Sequence, residues 1–581
     1  MRCPEVRRWW VGIALGGALA LGGISSAAAQ EILYDPENPA FEDETRPPGG
    51  DAHDEASEQS SGGGEVLFDP ENQGFEDETG GAPALREPLS SSANSAFQNT
   101  ELTLIAGTGL FIDLASDAPG EDLLETSTEL GLTITHDASA NLRAVIGARA
   151  SHRAARPSGG PWRAYDEVAL DEAYILWRKD RWRLAFGNLR TPWGSTDITR
   201  PGDVINPTDL RAPGSAGAFG ATLPQLTAEA SYAFESWTLN ALVVPFFKAN
   251  EVALFGQDTA LASRQNPFIA EQLPFVLLAQ DLLDPSVWPQ AQPLLQATRR
   301  PMATPANMSA GLRATTTLAN TDLGLGAFYG WDRTPKIILD DDVRELLRII
   351  AEDGQFFADF DFIGFTARNP ETVAISQRIS AKAEAGETLL SAEFQRRLTL
   401  VADAARYIGP IGVRADVAFS PGRIFYTTDF EPVTRASVFA ALGLSYERLL
   451  SDERALALTL EGFWLHPFAG DSAVQRLFHE AGEGGSTDAR LLLFEGGYYG
   501  VAGALNWGTG LWKIDVQGGA MASLAPGDVI AQIALERPII GAARARLSAN
   551  LFAGPDPAET LSLGGVWSAN DQLALSVVGR F

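Results

Sequence analysis

From about residue 100 to the C-terminus, apolar and polar residues alternate with a period of two in segments of roughly ten residues. In the stretch NLRAVIGARASHR (141–153), apolar residues occupy alternate positions and arginines recur between them. The stretches IGVRADVAFS (411–420) and GLWKIDVQGG (510–519) repeat the pattern, and turn sequences such as HDAS, RKDR and SAND separate the segments. Such alternation predicts antiparallel strands with one apolar face and one polar face.

The arrangement of these strands predicts an all-β fold, a transmembrane antiparallel β-barrel. We expect about 18 strands, within a range of 16–20, because single-chain barrels of bacteria use even numbers. A barrel of this size encloses an aqueous lumen, so the polar face points inward and the apolar face meets the lipid bilayer. A soluble β-sandwich also alternates, but its strands are shorter, whereas here the pattern continues to the last residue.

Charged residues recur on the faces that we assign to the lumen. The residues predicted to line it are Arg143, Arg149, Arg153, Arg414, Asp416, Arg544 and Arg546. Lumen charges commonly pair, so we expect these arginines to bind inward acids such as Asp416 and Glu461.

The two ends of the chain carry sorting signals. Residues 1–29 combine a charged start, the apolar stretch VGIALGGALALGGI and the small-residue stretch SSAAA, which predicts a secretory signal peptide. The apolar stretch is too short to span a bilayer core of about 30 Å. Cys3, the only cysteine, lies within this signal, so no disulfide is expected. The C-terminal stretch DQLALSVVGRF alternates as a strand and ends on the aromatic Phe581.

Between the signal and the first strand lies an acidic arm, residues 30–99. It carries 17 acidic residues against Arg46 and Arg86, in a chain of net charge −30. Low hydrophobicity and high charge predict that this arm is disordered. Because it precedes the first strand of the barrel, we expect it in the periplasm.

The arm contains a repeated phrase, EILYDPENPAFEDET at 31–45 and EVLFDPENQGFEDET at 65–79. The aromatic residues match between the two copies, whereas the sequence between the copies is not repeated, which is typical of short linear motifs. Duplication allows two weak binding sites to act together as one stronger tether. The alternative is a solvated spacer, and calcium binding is disfavoured by the spacing of the acids. The predicted partner-binding residues are Leu33, Tyr34, Asp35, Pro36, Glu37, Asn38 and Phe41, and in the second copy Leu67, Phe68, Asp69, Pro70, Glu71, Asn72 and Phe75.

Two connections in the barrel are too long to be turns, at about 248–308 and 336–369. The second contains DDDVRELLRIIAED, whose apolar residues recur at helical spacing. We therefore expect partly helical loops, which lie on the extracellular side in such barrels.

The stretch LDEAYILWRKDRWRLAFGNLRTPWGS (170–195) is the most specific part of the chain. It resembles a hairpin of porin-like outer-membrane families, in which an EAY strand precedes a G-x-x-x-x-P-[FW]-G strand end. The following DVINPTDLR (203–211) resembles a loop of an uncharacterised proteobacterial barrel family, whereas the phosphate-selective porins share the first half only. The resemblance implies a pore-like protein in the outer membrane of a Gram-negative bacterium. The C-terminal stretch DQLALSVVGRF also resembles the signature strand of bacterial outer-membrane barrels, which implies that the outer-membrane assembly machinery reads the strand ending at Phe581.

The DVINPTDL loop is a candidate constriction. Pro207 restricts Asn206 to extended geometry, and the side chains of Asp203, Asn206 and Asp209 can accept hydrogen bonds from nearby backbone amides. Packing against the barrel wall and lining a constriction both fit these residues.

The sequence contains no recognisable catalytic motif. The five histidines show no metal-ligand spacing and no Gly-x-Ser-x-Gly occurs, so no catalytic residue, metal or cofactor is expected. The acidic charge gives no reason to expect nucleic acid as a partner. Two functions stay open: a porin-like conduit whose arm docks a periplasmic or inner-membrane protein, and a non-conducting outer-membrane component of a multi-protein envelope machine.

Overall fold

The structure is a computed structural model, and it describes residues 100–581 except 115–121, 158–162, 210, 212–220, 252–297, 300, 334, 354–361, 388, 427–431, 452–453, 469–497, 526 and 556–561. The predicted signal peptide, the acidic arm with both repeats, and the apolar stretch 271–283 of the first long connection lie outside the described residues.

The barrel is a closed antiparallel sheet of 18 strands, which confirms the predicted fold class and strand number. Each strand pairs with the next, and the last pairs with the first. The strands are β1 Thr100–Asp113, β2 Asp122–Ser139, β3 Leu142–Pro157, β4 Arg163–Lys179, β5 Trp182–Leu189, β6 Gln225–Ala233, β7 Thr238–Val244, β8 Ser309–Leu318, β9 Thr321–Trp331, β10 Arg396–Ile408, β11 Ile411–Tyr426, β12 Pro432–Ser451, β13 Arg454–Pro467, β14 Tyr498–Gly508, β15 Asp515–Ala525, β16 Val529–Ile540, β17 Ala543–Ala553 and β18 Gln572–Arg580.

The two ends of the barrel differ. Eight hairpins, from β2–β3 to β16–β17, close with short turns at one end, where β1 begins and β18 finishes. There the backbones of Leu104 and Phe581 exchange two hydrogen bonds of 2.9 and 2.8 Å. All longer connections leave the opposite end, which we call the loop end. A short-turn end and a loop end are typical of membrane barrels.

The outer surface carries an apolar belt. Outward side chains from strands around the whole barrel are exposed although they are large and apolar, including Ile146, Leu325, Leu442, Ile533 and Leu575. Such a continuous exposed apolar surface is unfavourable in water and suits lipid. Their inward neighbours are polar or small, because successive residues of a strand point to opposite faces. The barrel therefore has the surface of a membrane-spanning protein.

The stretch GLWKIDVQGG departs from the predicted pattern. The sequence suggested alternation from Leu511 onward, but β15 begins only at Asp515. Trp512 and Lys513 have φ angles of 53° and 56°, the left-handed conformation of a turn. The hydroxyl of Thr509 closes this turn by donating to the carbonyl of Ile514 at 2.6 Å. Alternation alone does not distinguish a strand from a structured turn of the same length.

The connection between β9 and β10, residues 332–395, builds a small helical unit at the loop end. Helix α1 spans Asp341–Asp353, as the helical spacing predicted, and is followed by α2 Phe362–Arg368 and α3 Glu371–Glu384. The unit extends beyond the predicted end at residue 369 because α3 packs on α1 through Ile349 and Ile375. A fourth helix, α4 Leu563–Val566, lies before β18.

Short strands and one further turn complete the described connections. Thr208–Asp209 pairs with Ala221–Thr222, and Leu390–Glu393 pairs with both Thr298–Arg299 and Lys336–Leu339. A 3-10 turn covers Pro305–Asn307. Among the described residues, no helix has the length and apolar character needed to cross a membrane.

Candidate constriction site

The connection between β5 and β6 folds into the lumen instead of projecting from the barrel. We call its residues 190–209 the strap. Strand β5 is short, and after Leu189 the chain turns inward. Arg190 fixes this exit, since its amide donates to Glu172 at 3.0 Å and its guanidinium donates to Asp171 at 2.7 Å and to the carbonyl of Thr222 at 2.9 Å.

A cluster of apolar side chains attaches the strap to the inner wall of the barrel. Trp193 and Ile205 are buried among inward side chains of β7, β9, β10 and β11; these are Leu242, Val244, Phe328, Val401 and Ala418. Two wall glycines make room for the indole: a Cβ at Gly311 would come within 2.8 Å of it, and one at Gly326 within 3.1 Å. A wide barrel wall has no core of its own, so this cluster supplies local burial of apolar surface.

Asp416 on β11 is the first of two carboxylates that hold the strap. It is completely buried and accepts four hydrogen bonds from two consecutive strap residues. The amide and hydroxyl of Ser195 donate to it at 2.7 and 2.8 Å. The amide and hydroxyl of Thr196 donate at 3.2 and 2.7 Å. Hydrogen bonds to an ionised acceptor are stronger than neutral ones, so this carboxylate is an effective anchor.

Glu461 on β13 is the second anchor and lies two strands further around the wall. It is 1% exposed and receives the amides of Asp197, Ile198 and Thr199 at 2.6, 2.9 and 2.8 Å. The hydroxyl of Thr199 adds a fourth hydrogen bond of 2.9 Å. Five consecutive amides, from residue 195 to residue 199, are thus satisfied by two wall carboxylates. Without them these amides would lose the partners that a buried backbone requires.

Close packing within the strap requires glycine. Gly194 has a φ of 107°, and a Cβ there would lie 2.4 Å from the Oδ2 atom of Asp416. Gly202, on the returning segment, approaches so closely that its Cβ would lie 2.9 Å from the Cα of Gly194. The two segments of the strap therefore contact each other through glycines, beneath the Asp416 anchor.

An ion pair between the wall and the strap lies beside the two anchoring carboxylates. Arg414 of β11 binds the carboxylate of Asp197 and also donates to the hydroxyl of Tyr407 at 3.2 Å. Burial raises the pKa of Asp197, and the charge of Arg414 offsets part of this effect. The lumen arginines were predicted to pair with inward acids such as Asp416 and Glu461; they pair with other inward acids, and the prediction was wrong for these two. Those two acids bind the strap instead, and each carboxylate accepts four hydrogen bonds from strap amides and hydroxyls.

The predicted constriction residues all belong to the strap. Asn206 accepts a hydrogen bond from the amide of Thr191 at 3.0 Å and donates to Asp203 at 2.9 Å. Asp209 accepts from the amide of Arg211 at 3.0 Å and pairs with its guanidinium at 2.6 Å. Asn206 thus ties the two segments of the connection together, the contacts of Asp203 and Asp209 are local, and the neighbouring Ile205 is buried against the wall.

The predicted lumen residues lie on inward-facing positions of their strands. On β3 their partners are on β2: Arg143 binds Asp137 at 2.8 Å and Arg153 binds Glu125 at 3.0 Å. Arg149 lies 4.0 Å from Glu129. On β17, Arg544 reaches Glu536 at 3.1 Å and Asp515 at 3.4 Å. Arg546 lies directly opposite Glu536 on the neighbouring strand. This wall lies away from β11 and β13, so the strap narrows the lumen from one side only.

The structure adds residues whose roles the sequence did not indicate. Glu461 and Gly194 are the main examples. Trp193 belonged to the stretch that resembles porin-like families, but no role in attaching the strap was predicted for it. A signal was present in the sequence, because Glu461 is the one acid in the mostly apolar strand β13. The fourteen predicted partner-binding residues of the arm lie outside the described residues. Within the described residues, no group of three or more His, Cys, Asp or Glu is placed to hold a metal ion.

Comparison with known proteins gives matches among solved structures alone. No family model matches this sequence, and no curated protein matches it. One similar structure is Pseudomonas aeruginosa OccK2 (OpdF) in complex with glucuronate, at 10% identity and a TM-score of 0.38, covering 83% of this chain and 98% of that one. Salmonella typhi OmpF in complex with daunomycin is 8% identical, with a TM-score of 0.35 and coverages of 83% and 97%. The channel DcaP of Acinetobacter baumannii is 9% identical, with a TM-score of 0.34 and coverages of 85% and 99%. At such low sequence identity and TM-score the likeness does not extend to function.

Proposed function

We propose that the protein is a passive, size-limited conduit for small solutes across the outer membrane of a Gram-negative bacterium. One observation carries this proposal: a strap anchored inside a polar lumen by two buried carboxylates. A loop that lay on the outer surface of the barrel would need no hydrogen-bonding anchors inside the lumen. Burying two acids is costly unless their hydrogen bonds are satisfied, so the arrangement suits a segment that must keep a fixed position in the passage.

The chemistry of the passage suits polar solutes rather than one recognised ligand. Arginines and acids on the β2–β3 and β15–β17 walls pair with each other, so they provide a polar surface without a strong net field at any one point. A predicted signal peptide and a C-terminal strand ending on Phe581 support targeting to the outer membrane and recognition by its assembly machinery. The short-turn end then faces the periplasm, together with the acidic arm.

Conduction is tested with the full-length protein and with a form that starts at Thr100, each in planar lipid bilayers. We expect ohmic single-channel currents from both, and a solute size limit when polyethylene glycols of increasing mass are added. The form without the arm controls for any effect of the arm on the pore. Silent barrels that are correctly folded and inserted would contradict the conduit and favour the non-conducting envelope component.

The arm adds a second element to this function, the docking of a periplasmic or inner-membrane protein. The support is the repeat itself: acids that steer toward a basic surface accompany apolar anchors at matched positions, such as Leu33, Tyr34 and Phe41. A stiff Pro36 or Pro70 lowers the entropy that each copy loses on binding. The barrel then serves as the membrane anchor of a complex as well as a conduit.

Docking predicts that apolar anchors, and not charge alone, decide binding. A peptide of residues 31–45 should crosslink to a periplasmic protein, whereas a version with Leu33, Tyr34 and Phe41 replaced by alanine keeps every charge and should not. With the purified partner, an arm carrying both repeats should bind about 10²-fold more tightly than an arm with one. Equal binding of the native and alanine peptides would leave the arm as an acidic spacer.

A further inference from the structure

An arginine lies at the edge of the apolar belt nearest the loop end. Arg396 is the first residue of β10 and alternates with Leu398 and Leu400, whose exposed side chains face lipid, so Arg396 points outward as well. Arg406 occupies the same face ten residues later. At about 3.4 Å per residue and a strand tilt of about 40°, this separation spans about 26 Å along the membrane normal, close to the height of the apolar band of such barrels. The two arginines thus lie at opposite edges of the belt, each at the level of lipid headgroups.

Two aromatic rings hold the Arg396 guanidinium in place. Its central carbon lies 5.2 Å from the centroid of the Tyr329 ring and 4.8 Å from that of the Trp331 ring. A terminal nitrogen donates to the carbonyl of Ala306, and the indole nitrogen of Trp331 donates to the carbonyl of Asn307 at 2.7 Å. The same 3-10 turn therefore fixes both side chains. Aromatic rings attract a guanidinium without neutralising it, so the group is preorganised and keeps its positive charge.

A shallow groove in the apolar belt leads to these rings. Ala327 of β9 lies directly opposite Leu312 of β8 and Leu400 of β10, and both leucines are exposed. A methyl group between two longer side chains leaves a depression in the lipid-facing surface. Tyr329 follows two residues later on the same face, so the depression lies directly below the ring that holds Arg396. The apolar groove and the fixed cation are therefore continuous with each other.

The groove and the cation together select the class of ligand. Lipid covers the belt, so the groove suits an acyl chain. A guanidinium carries five N–H donors, and its bond to Ala306 leaves donors for the oxygens of a phosphate, which guanidinium groups bind through two parallel hydrogen bonds. Inorganic phosphate would match the arginine alone. A lipid with a phosphate in its headgroup matches the arginine and the groove at once.

We propose that the outer face of β8, β9 and β10 binds one phosphorylated lipid, with its phosphate on Arg396 and an acyl chain in the groove over Ala327. The occupant is a membrane lipid, because the site is continuous with the belt that lipid already covers. Its place in the outer leaflet rests on the orientation given under the proposed function, whereas binding itself does not. The site lies outside the lumen, so its role is distinct from conduction.

The test is a titration of the full-length protein in detergent with dioleoyl phosphatidic acid, in which native mass spectrometry counts the bound lipid. We expect one lipid to bind more tightly than any further ones. Arg396→Gln should weaken this first affinity about tenfold or more, since it removes a charged hydrogen-bond donor. Arg396→Lys keeps the charge without the planar donor pair and should restore only part of it. Dioleoylglycerol has the same chains without the phosphate and should bind about tenfold more weakly, or less.

Arg406→Gln is the matched control, because it removes an outward arginine from the opposite edge of the belt on the same strand. It should bind the first lipid as the native protein does, and equal weakening in both variants would mean a general effect of charge and overturn the proposal. Displacement of the lipid by millimolar inorganic phosphate would overturn it too, since the site would then recognise the free ion. Bilayer currents of Arg396→Gln should be native, so that failure of the lipid site and failure of the conduit are separate results.

Ala327→Leu tests the groove without changing any charge. It lies on the lipid-facing surface, so the barrel should fold, and filling the depression should weaken binding of phosphatidic acid about fourfold or more, the equivalent of one buried methylene group. Crystals of the native protein grown with phosphatidic acid brominated on its chains should show anomalous scattering from bromine over Ala327. Absence of that signal overturns the proposal, even if Arg396→Gln does not fold.

Discussion

Glu461→Ala is expected to free the strap while leaving the barrel intact. The substitution removes the acceptor of three consecutive amides and of the Thr199 hydroxyl. Each hydrogen bond to a charged group contributes about 1.5–3 kcal/mol, although four bonds to one group are not additive. A conservative loss of about 3 kcal/mol shifts the ratio of docked to undocked strap by about two orders of magnitude. The sheet hydrogen bonds between β12, β13 and β14 are backbone bonds and remain.

Single-channel recording measures this change. The Glu461→Ala channel should show a larger mean conductance and frequent flicker as the strap leaves and re-enters the lumen. Glu536→Ala is the control: Glu536 is also an inward acid and is paired with Arg544, but it does not contact the strap. It changes the charge of the lumen equally and should give a quiet trace. Identical conductance and noise in the two variants would mean that the strap does not narrow the passage.

Gly194→Ala should loosen the same segment by a different route, through the backbone. Its φ of 107° disfavours any residue with a Cβ, and the new methyl group would overlap the Asp416 carboxylate. The strain and the displaced hydrogen bonds together should destabilise the docked strap by about 2–4 kcal/mol. Hydrogen exchange of strap peptides should then accelerate by about 30-fold or more, as long as exchange follows local opening.

Gly527→Ala separates steric overlap from backbone strain. Gly527 has a similar φ of 97°, yet nothing lies within 4 Å of the position that its Cβ would take. This variant should lose stability only near its own turn between β15 and β16, and strap exchange should be unaffected. If Gly194→Ala leaves strap exchange at the native rate, the carboxylate of Asp416 is not the anchor that its hydrogen bonds indicate.

The barrel could be predicted because every strand carries the same local signal. Alternation is a property of neighbouring residues, and the requirement for an even strand number excluded 17 and 19 from the predicted range of 16–20. Inward positions followed too: Arg143 and Arg544 lie on the inward faces that alternation assigns. The turn at Trp512 shows the limit of this reasoning, because a left-handed turn can follow the same apolar–polar order as a strand.

The strap could be recognised only in part. Asp203, Asn206 and Asp209 were identifiable because their partners lie nearby in sequence, as in the contact between Asn206 and Thr191. The anchors were not identifiable, because Glu461 binds residues 262 to 264 positions earlier and no local pattern records that pairing. A lone acid on an inward face is equally suited to an arginine, to water or to backbone amides. Only the three-dimensional path of the connection decides among these partners.

The strap and its two anchoring carboxylates are far apart in the sequence, and this separation constrains when the strap can dock during folding. Residues 195–199 cannot dock until β11 and β13 are in place, because the two carboxylates that hold them lie on those strands. Docking closes a very long loop, whose entropy loss is offset only once both carboxylates are in place. The last event of folding inside the lumen therefore follows construction of the wall. A barrel released from assembly too early would be a closed cylinder with an unfastened interior, and quality control that inspects only the exterior would not detect it.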